Sequence, residues 1–175
     1  MPKVIPNVRE KLLCGAKALV EKGGYSELTV RAVATYTGVG VGTLYNYFKS
    51  KDGLVSAFML ADWEEKALKI EKSISENSTP KNAIFSICAS IKEYINEHYR
   101  IFSDSEAIRA FEKVNLQMCD MLVSRAAGYI LPYAKSNGEV SAELLSEFIA
   151  RSIFNWSVEG KSADELYPIF KMLMK

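Results

Sequence analysis

The sequence predicts an all-α protein, with an N-terminal domain of three short helices followed by a C-terminal helical bundle. Three observations predict this fold class. Apolar residues recur at spacings of three and four along most of the 175 residues, which is the period of an amphipathic helix. Residues that suit helix caps and glycines that end helices divide these stretches. Near the N-terminus, two of the predicted helices are separated by only a tight turn. We predict domains at residues 1–50 and 51–175.

Composition is typical of a soluble globular protein that buries a sizeable core. Apolar residues make up 49% of the chain and charged residues 25%, with a net charge of +1,. The charges are unevenly distributed. Residues 1–55 contain eight Lys or Arg and four Asp or Glu, a net charge of +4, whereas the remaining residues carry a net charge of −3. A basic N-terminal part on an acidic body favours a nucleic-acid-binding domain joined to a second domain.

Nothing in the sequence indicates secretion, a membrane or a metal. The first residues lack the apolar core of a signal peptide, and no apolar run is long enough to cross a bilayer. The three cysteines, Cys14, Cys88 and Cys119, lie far apart in helical patterns, as expected of reduced core residues. We therefore expect a cytoplasmic protein with no membrane association, no cofactor and no disulfide.

Residues 29–51 carry the pattern of a helix-turn-helix. Thr29 is suited to cap a first helix, whose apolar face is formed by Val30, Val33 and Ala34. Gly38 can adopt a positive φ and end that helix. The segment Val39–Tyr47 predicts a second helix that buries Leu44 and exposes Thr43, Tyr45 and Asn46. The second helix of such a pair enters the major groove of DNA.

Two cations near predicted helix starts strengthen this interpretation. Arg31 follows the Thr29 cap by two residues, and Lys51 directly follows Ser50, the predicted cap of the next helix. The helix dipole disfavours a cation there by some tenths of a kcal/mol. That cost is reasonable where a phosphate docks, because exposed backbone N–H groups and a cation together bind anions. The alternative is that both residues are solvated surface charges.

The same stretch resembles the N-terminal domain of TetR-family transcriptional regulators. The resemblance covers about residues 6–55 and rests on Gly23-Gly24-Tyr25, Leu28-Thr29-Val30-Arg31, Val33-Ala34, Gly38-Val39, Gly42-Thr43-Leu44-Tyr45, Tyr47-Phe48 and Lys49-Ser50-Lys51. One position departs from the family pattern, which often has a polar residue where this chain has Gly40. The resemblance implies a homodimeric, ligand-responsive repressor that binds palindromic double-stranded operator DNA.

Residues matched to the family pattern imply a set of DNA contacts. Phosphate contacts are implied for Thr29, Tyr45, Tyr47 and Lys51. Base-edge contacts are implied for Arg31, Val41, Thr43 and Asn46, with Gly42 lying among them. Val41 suits the methyl group of thymine.

Helical spacing predicts the elements around the motif. A first helix from about Pro6 to Lys22 is expected to pack across the helix-turn-helix, with Tyr25 and Leu28 completing the small core. A long helix from Ser50 to about Ser75 has an apolar side formed by Leu54, Phe58, Met59, Trp63 and Leu68. After a loop at Glu76-Asn77-Ser78, Thr79 caps a helix that begins at Pro80. That helix is expected to be buried on two sides, through Ile84, Phe85, Ile87, Cys88, Ile91, Tyr94, Ile95 and Tyr99.

Three further stretches complete the predicted bundle. Residues 103–133 are helical, as one helix or as two with a break near Asn115, with an apolar side at Met118, Met121, Leu122, Tyr129 and Ile130. Ser141 opens a helix that Gly160 ends. Ser162 and Glu165 form a capping box for the last helix, which Pro168 is expected to bend or delay.

The C-terminal bundle suggests two sites. A pocket for a small apolar effector is predicted among Trp63, Phe85, Tyr94, Phe102, Met118 and Leu122, because aromatic and Met side chains line adaptable pockets. Core packing explains any one of them equally well. A homodimer interface is predicted at Leu145, Phe148, Ile149, Ile153, Trp156, Leu166, Phe170 and Leu173. The alternative is that these residues cover their own bundle. The long helix from Ser50 could act as a lever that reports pocket occupancy to the DNA-binding domain.

An enzyme is disfavoured, and no catalytic residue is assigned. His98 is the only histidine, and no nucleophile, P-loop or dinucleotide motif is present. The main alternative is a helical carrier of lipids or hydrophobic small molecules that keeps this fold without binding DNA.

Overall fold

The prediction of an all-α protein is confirmed. The computed structural model describes residues 7–74, 79–136 and 138–174, with the backbone alone at 112–118, and these residues form no β-strand. The helices are α1 (Val8–Gly23), α2 (Val30–Thr37), α3 (Val41–Tyr47), α4 (Lys51–Ser73), α5 (Pro80–Glu97), α6 (Tyr99–Phe102), α7 (Ser105–Ile130), α8 (Ala142–Val158) and α9 (Ala163–Lys171), with a 3₁₀ turn at Leu131–Tyr133. No described helix is both long and apolar enough to cross a membrane.

The chain forms two compact units. The first comprises Met1–Asp62 and His98–Val114, and the second comprises Trp63–Glu97 and Asn115–Lys175. Both α4 and α7 contribute residues to each unit. The domain boundary predicted after residue 50 was placed at the end of the helix-turn-helix motif. It stays a prediction.

The core of the first unit lies where α1 packs against α2. Leu12, Ala16, Val33 and Leu44 are inaccessible to solvent. Tyr25 and Leu28, from the connection between α1 and α2, are also buried, at 1% and 2% exposure. The three-helix arrangement is therefore as expected, since α2 and α3 could not bury both of their apolar faces without α1. The predicted start of α1 at Pro6 lies outside the described residues.

The turn between α2 and α3 is two residues longer than the helical spacing predicts. Gly38 ends α2 in the left-handed region, at φ 67°, which a residue with a Cβ rarely adopts. Val39 was expected to begin α3, but its side chain is buried and its N–H donates to the carbonyl of Ala34. The helix α3 therefore begins at Val41, with Gly40 as its N-cap.

Helix α4 starts as expected but differs in its apolar side. The hydroxyl of Ser50 accepts a hydrogen bond from the N–H of Gly53 at 3.0 Å, so Ser50 caps this helix,. Leu68 was assigned to the buried side and is 51% exposed, whereas Ala67 and Ile70 are buried. That assignment was wrong because Leu68 lies one position round the helix from the buried stripe. The predicted end near Ser75 and the loop at 76–78 lie outside the described residues.

Helix α5 packs against α8 and α9 in the second unit. Thr79 caps it by accepting from the N–H of Asn82 at 3.2 Å. Tyr99 was expected to be buried at its end but is 65% exposed. The reason is that α5 ends at Glu97 and the backbone of His98, at φ −104° and ψ 15°, leaves the helical region. Tyr99 therefore belongs to the separate helix α6.

Helix α7 is a single helix through residue 115, so the first of the two open alternatives holds. Its buried side includes Leu122, Val123, Ala126 and Ile130. Met121 was placed on that side and is instead 55% exposed. The helix stops before the 3₁₀ turn that contains Pro132.

Helices α8 and α9 begin at the predicted caps. Ser141 accepts from the N–H of Leu144 at 3.2 Å. Ser162 and Glu165 form the complete capping box, with each side chain bonded to the other residue's backbone N–H. Pro168 does not delay the helix, because α9 starts at Ala163 and continues through it.

Candidate nucleic-acid interface

The helix-turn-helix is held by local hydrogen bonds and by one buried anchor. The hydroxyl of Thr29 accepts from the N–H of Ala32 at 3.0 Å, which satisfies one of the unpaired donors at the start of α2,. Leu44 is fully buried, and Phe48, which follows α3, is 6% exposed. Leu44 and Phe48, one turn apart, therefore fix which face of α3 turns outward.

The outward face of α3 carries the residues that the sequence singled out. Val41, Tyr45 and Tyr47 are 39%, 45% and 49% exposed, and Thr43 and Asn46 are exposed as well. A Cβ built on Gly42 would meet no atom within 4 Å. No side chain caps the start of α3. This surface thus presents hydroxyl groups, one amide and one aliphatic side chain to a ligand.

Cations flank this surface. Arg31 on α2 is exposed, and in the described part of the chain it takes part in no ion pair. The same holds for Lys49, which lies between α3 and α4. Sequence reasoning had not assigned Lys49 a contact. A free, exposed cation has no internal partner to give up before it binds a phosphate.

Tyr36 is a second residue that the sequence analysis missed. It lies on α2, and 62% of its side chain is exposed. The signal was available, because Tyr36 falls outside the apolar positions of α2 and an outward aromatic side chain is unusual on a short helix. With Tyr45 and Tyr47 it adds a third exposed phenol to the helix-turn-helix.

Lys51 is placed differently from the other predicted contacts. Its ammonium group lies 3.0 Å from Oε1 of Glu106, 3.4 Å from the carbonyl oxygen of Tyr25 and 3.9 Å from the centre of the Tyr25 ring. Only 21% of its side chain is exposed. The Lys51 ammonium group holds the pKa of the Glu106 carboxyl below its ordinary value. Lys51 is therefore already paired inside the first unit.

The predicted pocket residues are divided between the two compact units, and the pocket stays a prediction. Trp63, Tyr94 and Leu122 are buried at 3–4% exposure in the second unit, and the Trp63 and Tyr94 rings meet edge to face, with centroids 5.3 Å apart. Phe85 is half-buried, and its ring packs on Tyr167. Phe102 belongs to the first unit, and the Met118 side chain lies outside the described residues.

A cleft of about 480 Å³ is present in the second unit, but its chemistry differs from the predicted pocket. It lies on α7 and α8 and is lined by charged side chains that include Asp120, Glu143, Glu147 and Arg151. Arg151 bridges Asp120 at 3.1 Å and Glu147 at 3.3 Å. None of the predicted pocket residues lines this cleft.

Half of the residues predicted to form a dimer interface are buried within their own protomer. Ile149, Ile153, Leu166 and Phe170 are at most 2% exposed, because α5 packs against α8 and α9. For these four residues the assignment is corrected, since a side chain that is already buried cannot face a second copy. Leu145, Trp156 and Leu173 are half-buried, and Phe148 is 58% exposed.

Comparisons with known proteins agree with this geometry. Residues 12–58 match the family model described as bacterial regulatory proteins, tetR family. The chain is 25% identical over 174 residues to the HTH-type transcriptional repressor KstR of Mycobacterium tuberculosis, which covers 90% of this chain and 74% of the relative. It is 36% identical over 72 residues to KstR of Mycolicibacterium smegmatis, covering 41% of this chain and 35% of that relative.

A solved structure extends the likeness to the whole fold. The TetR family repressor AlkX from Dietzia sp. strain DQ12-45-1b, implicated in biodegradation of n-alkanes, superposes with a TM-score of 0.59 at 18% identity, over 97% of this chain and 100% of that one. The matched domain and these relatives are those of transcriptional regulators and not of enzymes. Residues 12–58 are those of the TetR-family DNA-binding domain, and the chain is similar to TetR-family transcriptional repressors over most of its length.

Proposed function

We propose that this protein is a homodimeric repressor that binds palindromic operator DNA and is released by a small apolar effector. The observation that carries the DNA-binding part is the outward face of α3 beside two cations, Arg31 and Lys49, that have no ion-pair partner among the described residues. Hydroxyl groups and unpaired cations together form the kind of surface that a phosphate backbone recognises.

The proposed DNA contacts divide into phosphate contacts and base contacts according to the chemistry of each side chain. The hydroxyl groups of Thr29, Tyr45 and Tyr47 suit phosphate oxygens, which position the protein without reading sequence. Arg31, Thr43 and Asn46 can donate to base edges in the major groove, and Val41 can contact a thymine methyl group. Because Gly40 and Gly42 add no side-chain donors, we expect sequence readout to depend on these few residues.

Duplex binding tests this function directly. We expect the protein to bind a random duplex and heparin with an affinity that falls steeply as salt rises, because each neutralised phosphate releases counterions. An operator selected from a random library is expected to bind more tightly than the random duplex. A helical carrier of lipids would show neither the salt dependence nor the sequence preference.

A dimer is proposed through the apolar side chains that α8 and α9 leave exposed. Leu144 and Phe148 on α8 are 61% and 58% exposed, and Ile169 and Met172 at the end of α9 are 48% and 83% exposed. A stable interface buries about 800 Å² on each partner, and two outward helices per protomer can supply such an area. The two copies of α3 would then lie about 34–36 Å apart, one turn of DNA, or a multiple of it.

Phe148→Glu tests this interface. A carboxylate at the centre of an apolar interface loses its hydration without a partner, so we expect the variant to sediment as a monomer at concentrations where the parent is a dimer. Leu68→Glu is the matched control, because Leu68 is similarly exposed but lies on α4 rather than on α8 or α9. Equal dimerisation of the two variants would contradict the proposed interface.

The effector proposal rests on the Trp63 environment. The indole N–H of Trp63 is buried and donates no hydrogen bond within the described part of the chain. An unsatisfied buried donor costs about 1–3 kcal/mol, and a ligand with an acceptor atom would remove that cost. We therefore propose an apolar effector that carries at least one hydrogen-bond acceptor.

Mass spectrometry of co-purified small molecules is the first test of the effector. Trp156→Phe leaves Trp63 as the single tryptophan, so its fluorescence reports binding of any molecule found. The helix α4 begins in the unit that holds the helix-turn-helix and also carries Trp63, which makes it the proposed lever. Such coupling is typically about 1–3 kcal/mol and is reciprocal, so operator DNA must weaken effector binding by the same factor. Equal effector affinity with and without operator would contradict the coupling.

A further inference from the structure

Residues at the start of α7 form hydrogen bonds with the segment that precedes the helix-turn-helix. Asp104 accepts hydrogen bonds from the N–H and the hydroxyl of Ser26, at 3.2 Å and 2.8 Å. Two residues further on, Glu106 forms the 3.0 Å ion pair with Lys51 at the start of α4. All four residues lie in the first compact unit. Lys51, which was predicted to contact a phosphate, is therefore already paired with a residue at the start of α7.

Lys51 cannot serve Glu106 and a DNA phosphate at full strength together. Its ammonium group is shared among the Glu106 carboxylate, the Tyr25 carbonyl oxygen and the face of the Tyr25 ring. A carboxylate and a phosphate oxygen are both anionic acceptors, so each satisfies the same donor. Turning toward DNA would cost the ion pair with Glu106.

We propose that Glu106, which lies outside the helix-turn-helix, sets the affinity for DNA by competing with a backbone phosphate for Lys51. This rests on the proposed function, since it requires that the protein bind DNA at the start of α4. The Glu106 carboxylate accepts from the Lys51 ammonium group in place of a DNA phosphate. It lowers affinity for every sequence alike, because a phosphate contact carries no base information.

The geometry suits a readily reversible competition. Glu106 is 52% exposed, so its ion pair with Lys51 is screened by water and contributes modestly. When Lys51 turns away, the Glu106 carboxylate regains its hydration. Asp104 also accepts from the backbone N–H groups of Glu106 and Ala107, which fixes the backbone from which Glu106 extends. A shift of the α7 start would change how well Glu106 competes.

Glu106→Gln tests the proposal without altering the shape of the side chain. We expect the dissociation constant for a random duplex to fall about two- to fivefold at low salt, the range that an exposed ion pair accounts for. The logarithm of affinity should fall with the logarithm of salt with a slope steeper by about one phosphate contact. Thermal melts by circular dichroism establish that the variants are folded.

Two controls separate competition for Lys51 from a general change of charge. Glu27→Gln removes an exposed carboxylate from the same unit, and it has no ion pair in the described residues. In a Lys51→Gln background, Glu106→Gln is expected to change affinity no more than Glu27→Gln does, because no ammonium group remains to be released. That pattern, together with the gain in the parent background, supports the competition.

Two results would overturn the inference alone. One is a Glu106→Gln protein whose affinity and salt slope match those of Glu27→Gln. The other is an equal gain from Glu106→Gln in the parent and Lys51→Gln backgrounds. A parent protein that bound no duplex, operator or random, would overturn the proposed function and this inference with it.

Discussion

Gly15→Ala tests the packing that positions the helix-turn-helix. Gly15 lies on α1 where that helix passes the end of α2, and a Cβ built on it would lie 2.3 Å from Cγ2 of Thr37 and 3.3 Å from Cδ1 of Tyr36. Optimal carbon–carbon contacts are at about 3.5–4.0 Å. Thr37 is 5% exposed and its hydroxyl donates to the Val33 carbonyl at 2.7 Å, so its methyl group cannot rotate away cheaply. The two helices must therefore separate.

The magnitude follows from two opposing effects. Replacing a glycine within a helix by alanine stabilises by about 0.5–1 kcal/mol. Forcing an extra methyl group into a close contact costs about 1–3 kcal/mol, and a 2.3 Å approach to a fixed methyl group belongs at the upper end. We expect the free energy of unfolding to fall by about 2–2.5 kcal/mol, measured by urea denaturation with circular dichroism.

A second substitution isolates the contact. Thr37→Ser removes Cγ2 and keeps the hydroxyl group, so Gly15→Ala should cost little in that background, and the two changes should couple by about 2–3 kcal/mol. Gly42→Ala is the control, because its Cβ would meet nothing within 4 Å; its stability should equal or exceed that of the parent. If Gly15→Ala lost no stability, or lost as much in the Thr37→Ser background as in the parent, the reasoning would be refuted.

Two further predictions concern charge. Burial raises the pKa of the Asp62 carboxyl, but hydrogen bonds from His98 and Lys17 outweigh it and hold the pKa below the ordinary 3.8. The ionised carboxyl thus stabilises the fold above about pH 4, and this contribution is lost as pH falls through its folded pKa. Asp62→Asn should therefore flatten the change in urea midpoint between about pH 7 and pH 3. A variant whose urea midpoint fell with acid as much as that of the parent would contradict this. Arg31→Ala should weaken operator binding by about 1–3 kcal/mol and relax preference at one base pair, measured by fluorescence anisotropy, whereas Lys171→Ala on α9 should bind like the parent.

Helix starts were predictable because a cap is a local interaction. Thr29, Ser141 and Ser162 each accept from a backbone N–H three residues later, so the sequence contains both partners of each bond. The outward residues of α3 followed from the same kind of local geometry, since Leu44 marks the buried face. These elements needed no knowledge of distant segments.

Errors arose where burial depends on a neighbouring element. Spacing shows that Leu68, Tyr99 and Met121 lie on an apolar side of a helix, but not whether another helix covers that position. All three are more than half exposed. The reverse error affected Ile153 and Phe170, which were assigned to a second copy and are buried by their own protomer. Hydrophobic spacing predicts which face of a helix is apolar, but it does not predict which element packs against that face.

Tyr25 shows why the state of a motif residue depends on segments far away in the chain. Its hydroxyl donates to Asp52, its ring packs edge to face on Phe111 at 5.3 Å, and Lys51 lies over its face. Burial, followed by the hydrogen bond to Asp52, raises the pKa of Tyr25, so the phenol keeps its proton to a higher pH than an exposed tyrosine does. The connection before α2 is thereby tied to α4 and α7. A motif match assigns Lys51 to DNA, but only the packing of α7 shows that Lys51 is already paired with Glu106. On the proposal made above, the affinity for DNA would therefore depend on the whole first unit and not on the motif alone.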